Sequence, residues 1–250
     1  MKIFKSLKEW RATRQQLTGE IGFVPTMGAL HAGHAALLKR SRRENAISVL
    51  SIFVNPTQFN DKNDYDKYPN TFAADVRLAE ESGVDYILYP EASDIYRDDY
   101  RFKMSENQLS HILEGEFRPG HFDGVLTVVL KLFHLIEPTR AYFGEKDFQQ
   151  LKLIEAMVQA LFMPLQVVAC ETLREADGLA MSSRNVRLSP QAREKAPLIA
   201  KYLFSNLSND EVKVKLSDAG FEVEYIAHEL GRRLCAAKIE GVRLIDNVKI

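Results

Sequence analysis

Short runs of β-branched and aromatic residues recur along the first two thirds of this chain, separated by stretches of helix length with amphipathic spacing. That alternation confines the fold, because strands joined by crossover helices pair in parallel and a parallel sheet needs both faces covered. The spacing predicts strands at 21–24, 47–54, 86–89, 141–143 and 166–169, with helices at 6–17, 34–43, 71–82, 125–135 and 148–161. The unbroken apolar run Val49-Leu50-Ser51-Ile52-Phe53-Val54 suits a strand buried on both sides. Residues 1–173 are therefore expected to form a doubly wound, Rossmann-like α/β domain. After about Leu173 the pattern changes. Ser189-Pro190 opens a helix expected to reach about Leu207, and residues 205–210 read as a polar linker. A helical stretch around Asp218 and strands at 222–226, 233–239 and 243–245 then predict a small α+β domain over residues 174–250.

With 250 residues, 46% of them hydrophobic, the chain can bury a large core. Its net charge of −1 gives no attraction toward nucleic acid or an anionic membrane, so neither is expected as a partner. No apolar run approaches the roughly 20 residues that span a bilayer, and residues 1–10 alternate charged with apolar side chains; a cytoplasmic location is expected. Cys170 and Cys235 lie far apart without CxxC spacing, which favours buried free thiols over a disulfide or a zinc site.

Ligands of doubly wound sheets bind beyond the carboxyl ends of the strands, so the residues after Val24, Val54, Tyr89 and Phe143 are the first candidates. After Val24 the chain reads Pro25-Thr26-Met27-Gly28-Ala29-Leu30-His31-Ala32-Gly33-His34. Gly28 and Gly33 allow close approach of backbone to a ligand, and amides at the start of the following helix favour an anion. His31 and His34, three apart, suit donation to a polyphosphate; two incidental surface imidazoles, or two metal ligands lacking further partners, are the blander alternatives. Beyond the second strand, Asn55-Pro56-Thr57-Gln58 makes a turn whose Gln58 amide can both donate to and accept from a hydroxyl-rich substrate, or simply be solvated. The punctuated stretch Leu113-Glu114-Gly115-Glu116-Phe117-Arg118-Pro119-Gly120-His121-Phe122-Asp123-Gly124 reads as a loop, with Arg118 and His121 equally suited to a site or to solvent.

Gly144-Glu145-Lys146-Asp147-Phe148-Gln149-Gln150 leaves a strand and opens a helix. Lys146 supplies a point charge for phosphate, Asp147 a cap or a ribose acceptor, and Gln150 shares a helical face with Lys146; capping by Asp147 and a solvated Lys146 is the alternative. Asp177-Gly178-Leu179-Ala180-Met181-Ser182-Ser183-Arg184-Asn185 places two hydroxyls beside a guanidinium, a set that can wrap phosphate oxygens or mark a solvated hinge.

Taken together, these segments resemble the HxGH nucleotidyltransferases and, within them, the pantothenate synthetases. The match runs through PTMGALHAGH, SIFVNPTQF, LEGEFRPGHFDG, GEKDFQQ and DGLAMSSRN, with Met181 where the family pattern has leucine. Arg243-Leu244-Ile245-Asp246-Asn247 looks like its terminal motif, and the stretch 207–234 is shorter than the pattern. The resemblance implies ATP-dependent activation of pantoate as an acyl adenylate, followed by attack of β-alanine. It implies an ATP set of Met27, Gly28, His31, Gly33, His34, Gly144, Glu145, Lys146, Asp147, Leu173, Met181, Ser182, Ser183 and Arg184, with Leu173 lining the adenine pocket. For pantoate and β-alanine it implies Gln58, Gln150 and Met27, and as catalytic residues His34, His31, Lys146 and Arg184. Mg2+ is expected to ride on the ATP phosphates with no dedicated protein ligands, and a homodimer is expected. The competing readings are a nucleotidyltransferase acting on a phosphate ester such as phosphopantetheine, which has no need of Gln58 paired with Gln150, and a silent nucleotide-binding module, which has no need of Lys146 and Arg184.

Overall fold

The computed structural model describes residues 1–250, the side chain of Asn63 left aside. In chain order the first elements are β1 (Lys2–Phe4), α1 (Leu7–Arg14), β2 (Ile21–Thr26), α2 (Ala32–Glu44), β3 (Ile47–Ile52), α3 (Lys62–Asp66), α4 (Phe72–Glu81) and β4 (Tyr86–Leu88). There follow α5 (Ala92–Ile95), α6 (Glu114–Phe117), α7 (His121–Ile136), β5 (Arg140–Gly144), α8 (Phe148–Ala160) and β6 (Gln166–Cys170). The remainder holds α9 (Pro190–Lys195), α10 (Leu198–Leu203), α11 (Asn209–Asp218), β7 (Glu222–Glu229), β8 (Arg232–Ile239) and β9 (Val242–Lys249). Two compact units result: residues 1–144 with 150–170, and residues 145–149 with 171–250.

The first unit is a six-stranded sheet in the order β1-β4-β3-β2-β5-β6, with every pair parallel. From β2 the chain builds outward through β3 and β4 on one side and through β5 and β6 on the other. The topological switch therefore falls between β2 and β5, at the carboxyl ends Thr26 and Gly144. One face buries Val24, Leu50, Ile87, Tyr142 and Val168 with Leu38 of α2 and Ala79 of α4. On the other, Phe133 of α7 packs edge-on against both Phe23 and Phe143. Trp10 is fully buried, and its indole N–H donates to the Leu135 carbonyl at 2.7 Å. At roughly 25 cal/mol per Å2 of apolar surface, each such large side chain contributes about 1.5–3 kcal/mol.

The second unit carries an antiparallel sheet β7-β8-β9 covered by α9, α10 and α11. Its own core gathers Ala196, Ile199, Leu203, Val212 and Leu216 from the helices and Cys235, Ala237, Leu244 and Val248 from the strands. Cys170 and Cys235 are both buried free thiols. The expected class, a doubly wound parallel sheet followed by a small α+β part, is what the chain forms.

Several boundaries differ from expectation. Strand β1 is missed by pattern because its three residues sit at a sheet edge with only Phe4 buried. Strand β3 stops at Ile52, since Asn55 and Pro56 open a 3-10 turn there. The single helix expected from Ser189 to about Leu207 is two, α9 and α10, with Pro197 between them. The segment read as a linker already contains the cap of α11: Ser208 and Glu211 form a capping box. The stretch 113–124 is not a loop throughout, for it includes α6 and the first turn of α7. Strands β7, β8 and β9 are each longer than predicted, because a hairpin ladder runs their full length.

Candidate active site

The turn after β2 is built around a buried carboxylate. Asp75 of α4, 2% exposed, accepts from the amides of Ala29 at 3.0 Å and Leu30 at 2.8 Å, and from the Thr71 hydroxyl at 3.0 Å. Gly28 has φ +82°, and an added Cβ there meets Asp75 Oδ2 at 3.0 Å and Ile52 Cγ2 at 3.1 Å, so the position is closed to other residues. The amides of Ala29 and Leu30, in the turn ahead of the helix, face Asp75. His31 Nδ1 accepts from Gly33 N at 3.1 Å, and His34 Nδ1 accepts from His31 N at 3.3 Å, a capping box built from two imidazoles. With Nδ1 accepting, the ring proton falls on Nε2 in each imidazole. The ring centroids are 4.1 Å apart, so the two donors act on one small region.

Beyond β3 the side chain of Gln58 is held in a defined sense. Asn55 Nδ2 donates to Gln58 Oε1 at 3.0 Å, and Gln58 Nε2 donates to Met27 Sδ at 3.2 Å. Asn55 is itself fixed, since Tyr96 donates to its Oδ1 at 2.6 Å and its Nδ2 also donates to the Gly124 carbonyl at 3.2 Å. Burial pushes the Tyr96 phenol up to about 12, so it stays a donor across the physiological range. The backbone of Gln58 is gripped from the α6–α7 region: His121 Nδ1, at the start of α7, donates to its carbonyl at 2.8 Å, and Arg118 Nη2, just after α6, donates to it at 3.3 Å. A Cβ on Gly124 would lie 2.5 Å from the Thr57 carbonyl oxygen, so only glycine lets α7 approach this turn. Arg118 and His121 thus fix the Gln58 backbone. Gln150 is half-buried in the first turn of α8.

Gly144 ends β5 in the first unit, and the other predicted residues belong to the second, where Lys146 and Ser182 line one cavity with Leu179, Ala180, Asn185, Ile199 and the 244–246 stretch of β9. Lys146 lies 3.9 Å from Asp147 Oδ2 in the 3-10 turn Glu145–Asp147, its side chain 18% exposed. Leu173, 42% exposed, accepts from Met181 N at 3.0 Å across a short bridge in which Arg174 pairs with Ala180. Ser182 Oγ accepts from Arg184 N at 3.2 Å; Ser183 and Arg184 are half-buried beside it. This loop is braced by groups that motif reading passes over. Arg193 donates to Asp177 and Glu175 at 2.6 Å each, and Asn185 Nδ2 donates to Glu175 Oε1 at 2.9 Å. The hydrogen bond from Arg193 holds the Asp177 carboxyl below its usual range. The signal that could have found Glu175 and Arg193 is a pair of opposite charges flanking a turn-rich motif.

A parallel sheet with a double-histidine turn at its switch point places the chain among the doubly wound α/β proteins, whose ligands bind beyond the strand ends. The comparisons give the particular family. The pantoate-beta-alanine ligase family pattern matches residues 2–249. A pantothenate synthetase of Bdellovibrio bacteriovorus is 54% identical over 99% of both chains, and one from Legionella pneumophila is 51% identical over the same share. The crystal structure of a Francisella tularensis pantoate-beta-alanine ligase, complexed with beta-gamma ATP and beta-alanine, superposes with a TM-score of 0.95 at 41% identity. It covers 100% of this chain and 97% of that one. A Thermus thermophilus pantothenate synthetase gives 0.91 at 41% identity, covering 100% and 99%. The chain belongs to the pantoate-beta-alanine ligase family, and it is a ligase that condenses pantoate with β-alanine at the expense of ATP. The short stretch 207–234 does not set it apart from these relatives, which it spans almost end to end.

Proposed function

We propose that the condensation proceeds in two steps with the residues divided as follows. A pantoate carboxylate oxygen attacks the α-phosphorus of ATP, forming the acyl phosphate bond as the bond to the β-phosphate breaks and pyrophosphate leaves. The β-alanine nitrogen then attacks the acyl carbon, the bond to the adenylate oxygen breaks, and AMP departs. Negative charge concentrates on phosphate oxygens in the first step, and preorganised donors directed there stabilise it. His31 and His34 supply Nε2 donors, Lys146 and Arg184 supply cations, and the Ser182 and Ser183 hydroxyls complete the group. Met27, Gly28, Gly33, Gly144, Glu145, Asp147, Leu173 and Met181 shape the rest of the ATP site.

Gln58, Gln150 and Met27 take pantoate, and Gln58 also reaches β-alanine. Residues 1–173 thus supply the histidines and glutamines, and residues 174–250 the serine and arginine loop. No group of three or more His, Cys, Asp or Glu side chains among the described residues stands where it would hold a metal ion. Mg2+ would ride on the ATP phosphates and supply partial neutralisation of their charge. A homodimer in the cytoplasm is proposed; no helix among the described residues is long and apolar enough to cross a membrane.

The observation that carries this reading is the locked histidine pair at the switch point, where the two Nδ1 atoms accept from the backbone amides of Gly33 and His31 and fix both rings at the start of α2. The Francisella relative's complex with beta-gamma ATP and beta-alanine supports the choice of substrates. The test is exchange of labelled pyrophosphate into ATP. Pantoate alone, without β-alanine, is expected to support it, whereas exchange with phosphopantetheine and none with pantoate would overturn the assignment.

A further inference from the structure

Lys146 sits in a single 3-10 turn, and two of that turn's three carbonyls are taken by one side chain. Asn247, near the end of β9 and 3% exposed, donates from Nδ2 to the Glu145 carbonyl at 2.9 Å and to the Lys146 carbonyl at 2.9 Å. Its Oδ1 accepts from Arg232 Nη1 at 2.9 Å, which fixes the sense of the amide. Turned over, the amide would set its oxygen against two carbonyl oxygens and its NH2 against a guanidinium. Arg232 grips the same turn with its other arm: Nη2 donates to Glu145 Oε2 at 2.6 Å, and the guanidinium lies 4.0 Å over the Phe148 ring. Arg174 steadies the strand beside it, donating to Asp246 Oδ2 at 2.6 Å and Oδ1 at 2.8 Å, while Asn247 N donates to Asp246 Oδ1 at 2.7 Å.

We propose that Asn247, braced by Arg232, is the positioning residue for Lys146, holding the backbone from which the ammonium reaches the phosphates. A lysine side chain is long and flexible, so its aim depends on where its Cα is held. The proposal rests on the reading of Lys146 as a phosphate-binding group, and it assigns a role to the terminal Asp246-Asn247 pair. Because Asn247 acts through Lys146, losing it harms the step that Lys146 serves and leaves the other alone.

Asn247→Asp is the informative variant, since it keeps the size and the acceptor for Arg232 but loses both donors. Single-turnover formation of pantoyl adenylate is expected to slow by on the order of 10- to 100-fold, the scale of a small misplacement of a reacting group. Consumption of supplied pantoyl adenylate by β-alanine should stay near the parent rate. In a Lys146→Ala background the same substitution should add no further slowing. A second readout is independent of activity. Trace acetylation of the folded protein, followed by mass spectrometry, should show a severalfold change at Lys146 in Asn247→Asp and none at exposed Lys213. Equal slowing of both steps, additive slowing in the Lys146→Ala background, or parent-like acetylation of Lys146 would each overturn the proposal. If Lys146→Ala alone leaves adenylate formation intact, the phosphate role of Lys146 falls, while the acetylation result still decides whether Asn247 positions it.

Discussion

Asp75 and Gln58 show how far single residues can be taken. The carboxylate of Asp75 receives three donors in a buried setting, so Asp75→Asn replaces one acceptor with an NH2 that opposes an amide N–H. A loss of about 1–3 kcal/mol in unfolding free energy is expected from that unsatisfied pair. Denaturant unfolding of the variant measures it, and a raised KM for ATP should accompany it as the histidine turn shifts. Gln58 makes neutral contacts, so Gln58→Ala should cost about 0.5–1.5 kcal/mol in pantoate use and leave ATP affinity nearly unchanged. Steady-state kinetics with each substrate varied in turn would refute the assignment if ATP affinity dropped and pantoate saturation did not move. His31, His34, Gln58 and Lys146 were legible because their residue types follow strand ends directly. Asp75 was not, since its partner amides lie 45 and 46 positions away and only the folded sheet brings α4 beneath the turn.

Among the elements, α7 ties the most together and was only partly legible. Pattern reading started it late, at Val125, because Gly120 and Gly124 look like punctuation. Gly124 is there for the close approach to the Gln58 turn, a reason found only in three dimensions. Further along α7, Lys131 donates to Asp98 Oδ1 at 2.6 Å and to the Ile95 carbonyl at 3.0 Å, which pins the segment after α5. The hydrogen bond from Lys131, aided by the Phe102 amide, holds the Asp98 carboxyl down at about 2. A depressed carboxylate contributes stability that is present above its unfolded value, near 4, and is lost as pH falls through about 2. Melting temperature should therefore decline between pH 4 and pH 2, and Asp98→Asn should flatten part of that decline. An unchanged pH slope in the variant would show that other carboxylates carry it. The break between α9 and α10 is legible in retrospect from Pro197, whereas β1 gave no signal because an edge strand of three residues has no periodicity to read.

At the scale of the whole molecule, each unit has its own core and one buried thiol, Cys170 in the first and Cys235 in the second. Thiol labelling of the folded protein should be slow at both positions and should become fast at each only when its unit opens in denaturant. Mass-resolved labelling reads the two openings separately, and rapid labelling of either cysteine without denaturant would contradict its burial. The alternation of strands and helices made the parallel sheet legible at this scale, because the period of each element follows from the faces it must bury. That residues 145–149 group with the last third of the chain was not legible, for no local pattern links them to β9. This grouping bears on how such a gene can be cut. A fragment ending at Cys170 would carry the lysine turn without the strand that clasps it, and one beginning at Glu171 would carry Asn247 and Arg232 with nothing to clasp. No single break in the polypeptide frees the second unit whole, so shuffling, truncation or split-protein complementation must transplant the five residues along with the tail.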